Sequence, residues 1–107
     1  MAGLQILTNG SAASGESLPF KISTGLFPPT GNDSPFLQIY GTLGSNTAFT
    51  LKAKAPDGIY YTTAEIAVLG IGVWQLPYNR DLILKLTYTN SGGSPDINAY
   101  VYGGVVE

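Results

Sequence analysis

Two stretches of the chain alternate apolar and polar residues with a period of two, which is the pattern of a β-strand buried on one face. They cover residues 48–55 and residues 82–89. Both are predicted to be core strands, and the second is predicted to lie centrally in its sheet because its inward face is made of large apolar residues. The inward positions are Phe49, Leu51 and Ala53 in the first strand, and Leu82, Leu84, Leu86 and Tyr88 in the second.

Turn-forming residues follow each of these strands. Residues 56–58 (Pro-Asp-Gly) supply a turn after the first, because Pro presets φ and Gly accepts a positive φ, and residues 59–63 are predicted to return as the hairpin partner. A loop of small and polar residues at 91–96 separates the second strand from a strand at 97–106, and these two are predicted to form a second hairpin. In that last strand the inward positions are Ile97, Ala99 and Val101, and the outward positions are Tyr100 and Tyr102.

Glycine and proline interrupt the rest of the chain, with 14 Gly and 7 Pro, so often that no window carries a long apolar stripe of helical period. Shorter strands are predicted at residues 20–24, 36–43, 65–69 and 72–76. Seven or eight short strands at this spacing indicate an all-β fold, a two-sheet antiparallel sandwich that is jelly-roll-like, with a closed barrel as the alternative. The large aromatic residues predicted for its core are Phe20, Phe36, Phe49 and Trp74.

The N-terminal residues 1–17 differ in character from the rest. Leu4, Ile6 and Leu7 form a short apolar run, and residues 9–17 are small, polar and turn-prone. Two interpretations are open: an edge strand followed by a loop, or an extended arm that places the apolar side chains on a neighbouring subunit. The sandwich itself, for which a chain of 107 residues is long enough, is predicted to be one domain at residues 18–107.

Charged residues make up only 11% of the chain, against roughly 25% in typical soluble domains. Seven tyrosines cannot all face a core, since strand alternation sends part of them outward. A surface rich in Tyr, Thr and Asn with few charges is typical of a protein interface, and equally of a sugar-binding sheet. A rigid proline-rich loop at residues 26–35 adds Phe27. The candidate contact residues are Leu4, Ile6, Leu7, Phe27, Tyr60, Tyr100 and Tyr102.

The residue inventory excludes most enzyme chemistry. Cysteine and histidine are absent, so disulfides, Cys/His zinc sites, thiol nucleophiles and imidazole catalysis are not available. No phosphate-binding glycine loop occurs, and the loops around Asp33 and Asp96 are predicted to be turns rather than calcium sites. Five scattered cations and a net charge of −2 argue against nucleic acid and anionic membranes as partners. We therefore expect a non-enzymatic protein without a metal or cofactor.

Several segments, taken together, carry a resemblance that covers nearly the whole chain. They are residues 4–16, residues 49–51 leading to 56–58, and residues 73–77 ahead of Arg80 and the strand at 82–89. With these turns and strands the sequence resembles small virion proteins of tailed bacteriophages, most closely capsid cement or decoration proteins. The resemblance implies a β-sandwich or jelly roll, often trimeric, that sits across junctions between major capsid proteins and holds the shell together. It implies no catalytic residues.

The expected function is that of a viral structural protein on the capsid exterior of the virion, a homo-oligomer, as a trimer, whose partner is the major capsid protein. The first residues do not form a signal peptide, which predicts synthesis in the host cytoplasm. An alternative is a carbohydrate- or receptor-binding module of a phage head or tail fibre, with exposed Tyr and Trp74 as stacking platforms and a glycan as partner. A further alternative is a neck or tail accessory protein.

Overall fold

In this computed structural model the described residues are 3–22, 35–63, 70–76 and 82–106. Within these ranges the chain is all β, and two antiparallel sheets pack face to face, which confirms the predicted sandwich. The described residues form ten strands, because the short segments 14–16 and 104–106 pair as strands of their own. They are β1 (Gly3–Gly10), β2 (Ser14–Glu16), β3 (Phe20–Ile22), β4 (Phe36–Thr42), β5 (Ala48–Lys54), β6 (Tyr60–Thr62), β7 (Gly72–Gln75), β8 (Leu84–Thr89), β9 (Asp96–Tyr102) and β10 (Gly104–Val106).

Each sheet combines strands from distant parts of the chain. The four-stranded sheet has the order β1-β9-β4-β7. The six-stranded sheet has the order β10-β3-β8-β5-β6, and β2 also pairs with β8. Because β8 pairs with β5, β3 and β2, its predicted central position is confirmed.

The core lies between the sheets and is built by the alternating strands. On β8, Leu84 and Leu86 are fully buried, and so is Leu51 on β5, as predicted. Burial of one such side chain stabilises the fold by about 1.5–3 kcal/mol, so these rows hold the two layers together. The four-stranded sheet contributes equally buried side chains, namely Leu37, Ile39, Ile97, Ala99 and Val101.

The predicted β5–β6 hairpin is confirmed. Gly58 has a φ of +87°, a left-handed conformation that glycine adopts without steric cost. The Gly58 N–H donates to the Ala55 carbonyl at 2.9 Å, and the Ala55 N–H donates to the Ile59 carbonyl at 2.8 Å. These bonds fix a register in which Lys54 lies opposite Tyr60.

The second predicted hairpin is wrong, because its strands belong to different sheets. β8 pairs with β5 in the six-stranded sheet, whereas β9 lies between β1 and β4 in the four-stranded sheet. The loop that carries the chain between the sheets is held by Ser45, whose N–H donates to the Gly92 carbonyl and whose carbonyl accepts from the Ser91 N–H, both at 2.8 Å. Two strands that each bury one face can pack across a core as well as pair side by side, and their alternation is the same in both cases.

The strand predicted at residues 97–106 is divided at Gly103. This glycine has a φ of +79°, and there the chain passes from β9 to β10, which pairs with β3 in the other sheet. The predicted faces of β9 are nevertheless correct, since its inward residues are fully buried and Tyr100 and Tyr102 lie on the opposite face.

Among the predicted core aromatics, Phe20 and Phe49 are buried but Phe36 is not. Leu37 and Ile39 take the inward positions of β4, so alternation places Phe36 on the outer face, where it is partly exposed. Trp74 on β7 packs against the core while it stays partly exposed. The strand predicted at residues 65–69 lies outside the described residues.

The N-terminal segment takes part in both sheets. β1 lies at one end of the four-stranded sheet and pairs with β9, and β2 pairs with β8 in the other sheet. Ile6 is only 3% exposed within the core, and Leu4 and Leu7 pack against that core. These three side chains therefore contact the chain's own sandwich, where Ile6 is buried and Leu4 and Leu7 stay partly exposed.

Candidate binding surfaces

The outer face of the four-stranded sheet has an uncharged centre. The register places Gln5, Tyr100 and Gln38 side by side on β1, β9 and β4. Tyr102 and Tyr40 share this face, each two positions along its own strand. These five side chains line an open concavity of about 530 Å³, and we call them the Tyr–Gln site.

Hydrogen bonds between side chains fix the Tyr–Gln site. The Tyr40 hydroxyl donates to Gln5 Oε1 at 3.0 Å, and Gln5 Nε2 donates to the Leu7 carbonyl at 2.7 Å. The Tyr102 hydroxyl donates to Gln38 Oε1 at 2.6 Å. Both amide groups are thus oriented by a neighbour, so the site is organised before a ligand arrives.

Ring contacts complete the Tyr–Gln site. The rings of Tyr100 and Tyr102 have centroids 4.9 Å apart and planes inclined by 59°, which is a tilted aromatic pair. Tyr100 also covers Gly3, because a Cβ atom at that position would overlap the ring. Aromatic rings and amides therefore border one depression whose lining residues carry no charge.

The sequence identifies two of the five members of this site. Tyr100 and Tyr102 are predicted contact residues, and the structure brings them together. Gln5, Gln38 and Tyr40 are not among the sequence candidates. Alternation with buried residues on β4 signals that Gln38 and Tyr40 face outward, but their place beside Tyr100 depends on the register with β9.

The outer face of the six-stranded sheet is charged instead. Lys85 Nζ lies 3.3 Å from Glu16 Oε1 and 4.2 Å from the centre of the Tyr60 ring. Tyr60, a predicted contact residue, is therefore half-buried beneath a lysine, on the opposite side of the sandwich from the Tyr–Gln site. Four of the chain's five cations, scattered in the sequence, are collected on this face: Lys21, Lys52, Lys54 and Lys85.

The β5–β6 hairpin exposes two large apolar side chains beside its turn, Ile59 at 55% and Tyr61 at 53%. Asp57 bonds to both residues, since its Oδ1 accepts the Ile59 backbone N–H and its Oδ2 accepts the Tyr61 hydroxyl, each at 2.9 Å. The bond from the Ile59 backbone, and then that from Tyr61, lowers the pKa of Asp57. The bond to the Asp57 carboxylate raises the pKa of Tyr61. We call these three residues the hairpin anchor.

Exposed apolar side chains also occur elsewhere around the sandwich. Ile71 and Val73 are more than half exposed at β7. Phe27, the remaining predicted contact residue, lies outside the described residues. These side chains fit the charge-poor exterior that the composition indicates. Further large exposed apolar residues are Leu18, Leu43 and Val105.

The chemical groups on these surfaces are aromatic rings, amides, hydroxyls and apolar side chains. Such groups bind a partner through hydrogen bonds and apolar contacts. Across the described ranges, no three acidic, cysteine or histidine side chains come together as a possible metal site. In the same part of the chain, no helix has the length and apolar character to cross a membrane. Comparisons with protein-family models, with curated proteins and with solved structures found no match.

Proposed function

We propose that this protein is a non-enzymatic structural protein of a tailed-bacteriophage virion, made in the host cytoplasm, that binds the outside of the capsid as a cement or decoration subunit. The resemblance of the sequence to such proteins supplies the class, and the β-sandwich agrees with the fold that the resemblance implies. The observation that carries the proposal is the hairpin anchor, in which a carboxylate bonds to the Ile59 backbone and to the Tyr61 hydroxyl while both large side chains are exposed.

The hairpin anchor is suited to a protein partner because its parts are fixed before contact. Covering apolar surface favours association by about 25 cal/mol per Å², and ordering a side chain at an interface opposes it by about 0.5–1.5 kcal/mol. The bond from the Tyr61 hydroxyl to Asp57 reduces that opposing cost for Tyr61, and the bond from the Ile59 N–H fixes the backbone that carries the Ile59 side chain. A few such anchors carry most of the binding free energy in many protein interfaces.

Stabilisation of the capsid would follow from mass action. A subunit that binds the assembled lattice, and not its separated parts, stabilises the lattice by its binding free energy at every occupied site. A homotrimer strengthens the effect, because linked subunits reach neighbouring sites at high effective concentration. We therefore propose that the protein acts as a homotrimer and that the trimer bridges copies of the major capsid protein.

The trimer is expected to appear in a direct mass measurement. Light scattering of the purified protein should give three times the 11.2 kDa of one chain. The physical reason is the charge-poor exterior, which opposes association less than a densely charged surface does. The mass of a single chain, found at high protein concentration, would contradict the trimer.

Ile59→Ser is expected to abolish retention of the protein by capsids. The substitution removes an exposed apolar group and leaves the core intact, so the free energy of unfolding should change by no more than about 0.5 kcal/mol. Loss of an interface anchor costs about 2 kcal/mol or more, which weakens each contact roughly thirtyfold. The measurement is co-sedimentation with expanded tailed-phage capsids that lack decoration protein, followed by a count of bound copies.

Ile71→Ser is the matched control for this experiment. Ile71 is the same residue type and is 52% exposed, against 55% for Ile59, but it precedes β7 in the four-stranded sheet. Capsids should retain Ile71→Ser protein as well as they retain the unsubstituted protein. Equal retention of Ile59→Ser and Ile71→Ser would remove the hairpin anchor from the binding site. If the unsubstituted protein sediments with no capsid, the proposed function is wrong.

A further inference from the structure

We propose that the Tyr–Gln site binds a neutral carbohydrate, with the rings of Tyr100 and Tyr102 against the sugar and the glutamine amides and tyrosine hydroxyls bonded to its hydroxyl groups. This activity goes beyond attachment to a capsid. The site lies on the outer face of the four-stranded sheet, whereas the hairpin anchor belongs to the six-stranded sheet. The two surfaces therefore serve different partners.

The lining of the site matches the two kinds of surface that a sugar presents. A sugar ring has patches of C–H groups, which pack on the electron-rich faces of aromatic rings, and a rim of hydroxyl groups, which need donors and acceptors. Three tyrosines and two glutamines supply both, and none of these lining residues is charged. The lining offers a charged ligand no opposite charge, so its groups match a neutral ligand.

The hydrogen bonds within the site leave capacity for a ligand. Each of the two bonded hydroxyls, on Tyr40 and Tyr102, donates to a glutamine and keeps lone pairs that can accept a bond. Gln38 accepts through Oε1, and no described residue takes a hydrogen bond from its Nε2. A sugar hydroxyl is a donor and an acceptor at once, so it can bond to both kinds of group.

The size of the site favours a small ligand over a protein partner. A concavity of about 530 Å³ falls within the range of about 300–1,000 Å³ that is typical of small-molecule sites. An extended peptide would add to a strand edge through backbone bonds, whereas this site lies on the face of a sheet. A short neutral oligosaccharide is the occupant that fits.

Titration of the whole chain with a panel of neutral gluco-, galacto- and manno-oligosaccharides tests the proposal, with calorimetry or NMR as the readout. At least one of these sugars should bind, and Tyr100→Ala should weaken that binding about tenfold, because it removes the central ring. Tyr60→Ala is the matched control: it makes the same change on the outer face of the other sheet and should leave the affinity unchanged. Gly3→Ala should weaken binding as well, since its Cβ would displace the Tyr100 ring while every group of the site is kept.

The absence of binding by every neutral sugar at millimolar concentration would overturn the proposal, and so would binding that Tyr100→Ala leaves unchanged. A preference for sialylated or sulfated sugars would contradict it too, because the lining offers no cation. Capsid retention separates this proposal from the proposed function. Tyr100→Ala protein should still sediment with capsids, and Ile59→Ser protein should still bind the sugar, so either proposal can fail alone.

Discussion

Gly41→Ala is expected to lower the free energy of unfolding by about 3 kcal/mol, because two costs add at one position. Gly41 has a φ of +112°, a backbone conformation that residues with a Cβ rarely adopt. An added Cβ would also overlap the backbone carbonyl of Asp96 on β9. Neither backbone can move aside freely, since Gly41 is paired with Ile97 in the ladder between β4 and β9.

Thermal and urea denaturation measure this loss, and the Tm should fall by roughly 12 °C. Gly58→Ala is the control that separates the two costs. Gly58 has a φ of +87°, but nothing lies within 4 Å of a Cβ placed there, so only the backbone cost of about 1–2 kcal/mol remains. Equal losses of unfolding free energy in the two variants would contradict a contribution from the contact between position 41 and Asp96.

Gly15→Ala is expected to destabilise the protein by about 2 kcal/mol through overpacking. Gly15 on β2 lies against the ring of Tyr88 on β8, and an added Cβ would overlap that ring. Tyr88 is only 3% exposed and cannot swing into solvent. Its hydroxyl end also lies close to Gly10, so the ring fills the space where the chain passes from β1 to β2.

A double-mutant cycle tests the cause of this loss. Tyr88→Leu removes the ring atoms that a Cβ at position 15 would meet. In the Tyr88→Leu protein, Gly15→Ala should therefore lower the free energy of unfolding clearly less than it does in the unsubstituted protein. Strict additivity of the two substitutions would show that the Tyr88 ring is not responsible. Gly70→Ala serves as the control for the glycine substitution itself, because nothing lies within 4 Å of a Cβ at that position and its φ is not strained.

Local features of this sequence predict local features of its structure. Leu51, Leu86 and Val101 are fully buried at positions that alternation assigns to the core. The β5–β6 hairpin is predictable for a similar reason, because Gly58 stands where the turn requires a positive φ. Each of these features depends on residues only a few positions apart.

Strand partners depend on distant residues, and there the sequence alone is insufficient. A loop at 91–96 can close a hairpin or carry the chain to the opposite sheet, and the alternation on either side is the same. Only Gly103 marks the second change of sheet, between β9 and β10. Phe36 is misplaced because an aromatic at the start of an apolar strand can belong to either face until the register is known.

The Tyr–Gln site has the same dependence. Tyr100 and Tyr102 are two residues apart on one strand, so their shared face follows from alternation. Gln5 and Gln38 join them only through the pairing of β1 and β4 with β9. The N-terminal apolar residues are ambiguous for the same reason: their composition makes them adhesive, and only the pairing of β1 shows that Ile6 packs in the chain's own core.

The position of β9 between β1 and β4 has a consequence for how the chain folds. β1 joins the four-stranded sheet through β9, so that sheet closes only when Gly3 meets Tyr102. Gly3 and Tyr102 are far apart in the sequence, so the chain between them must be brought round before they can pair. β-Proteins dominated by pairings between distant residues fold in about milliseconds to seconds. Until β9 is in place, β1 and β4 lack the strand that lies between them and pairs with both. A folding intermediate without β9 therefore has unpaired strand edges on β1 and β4, and it is the species most prone to aggregate.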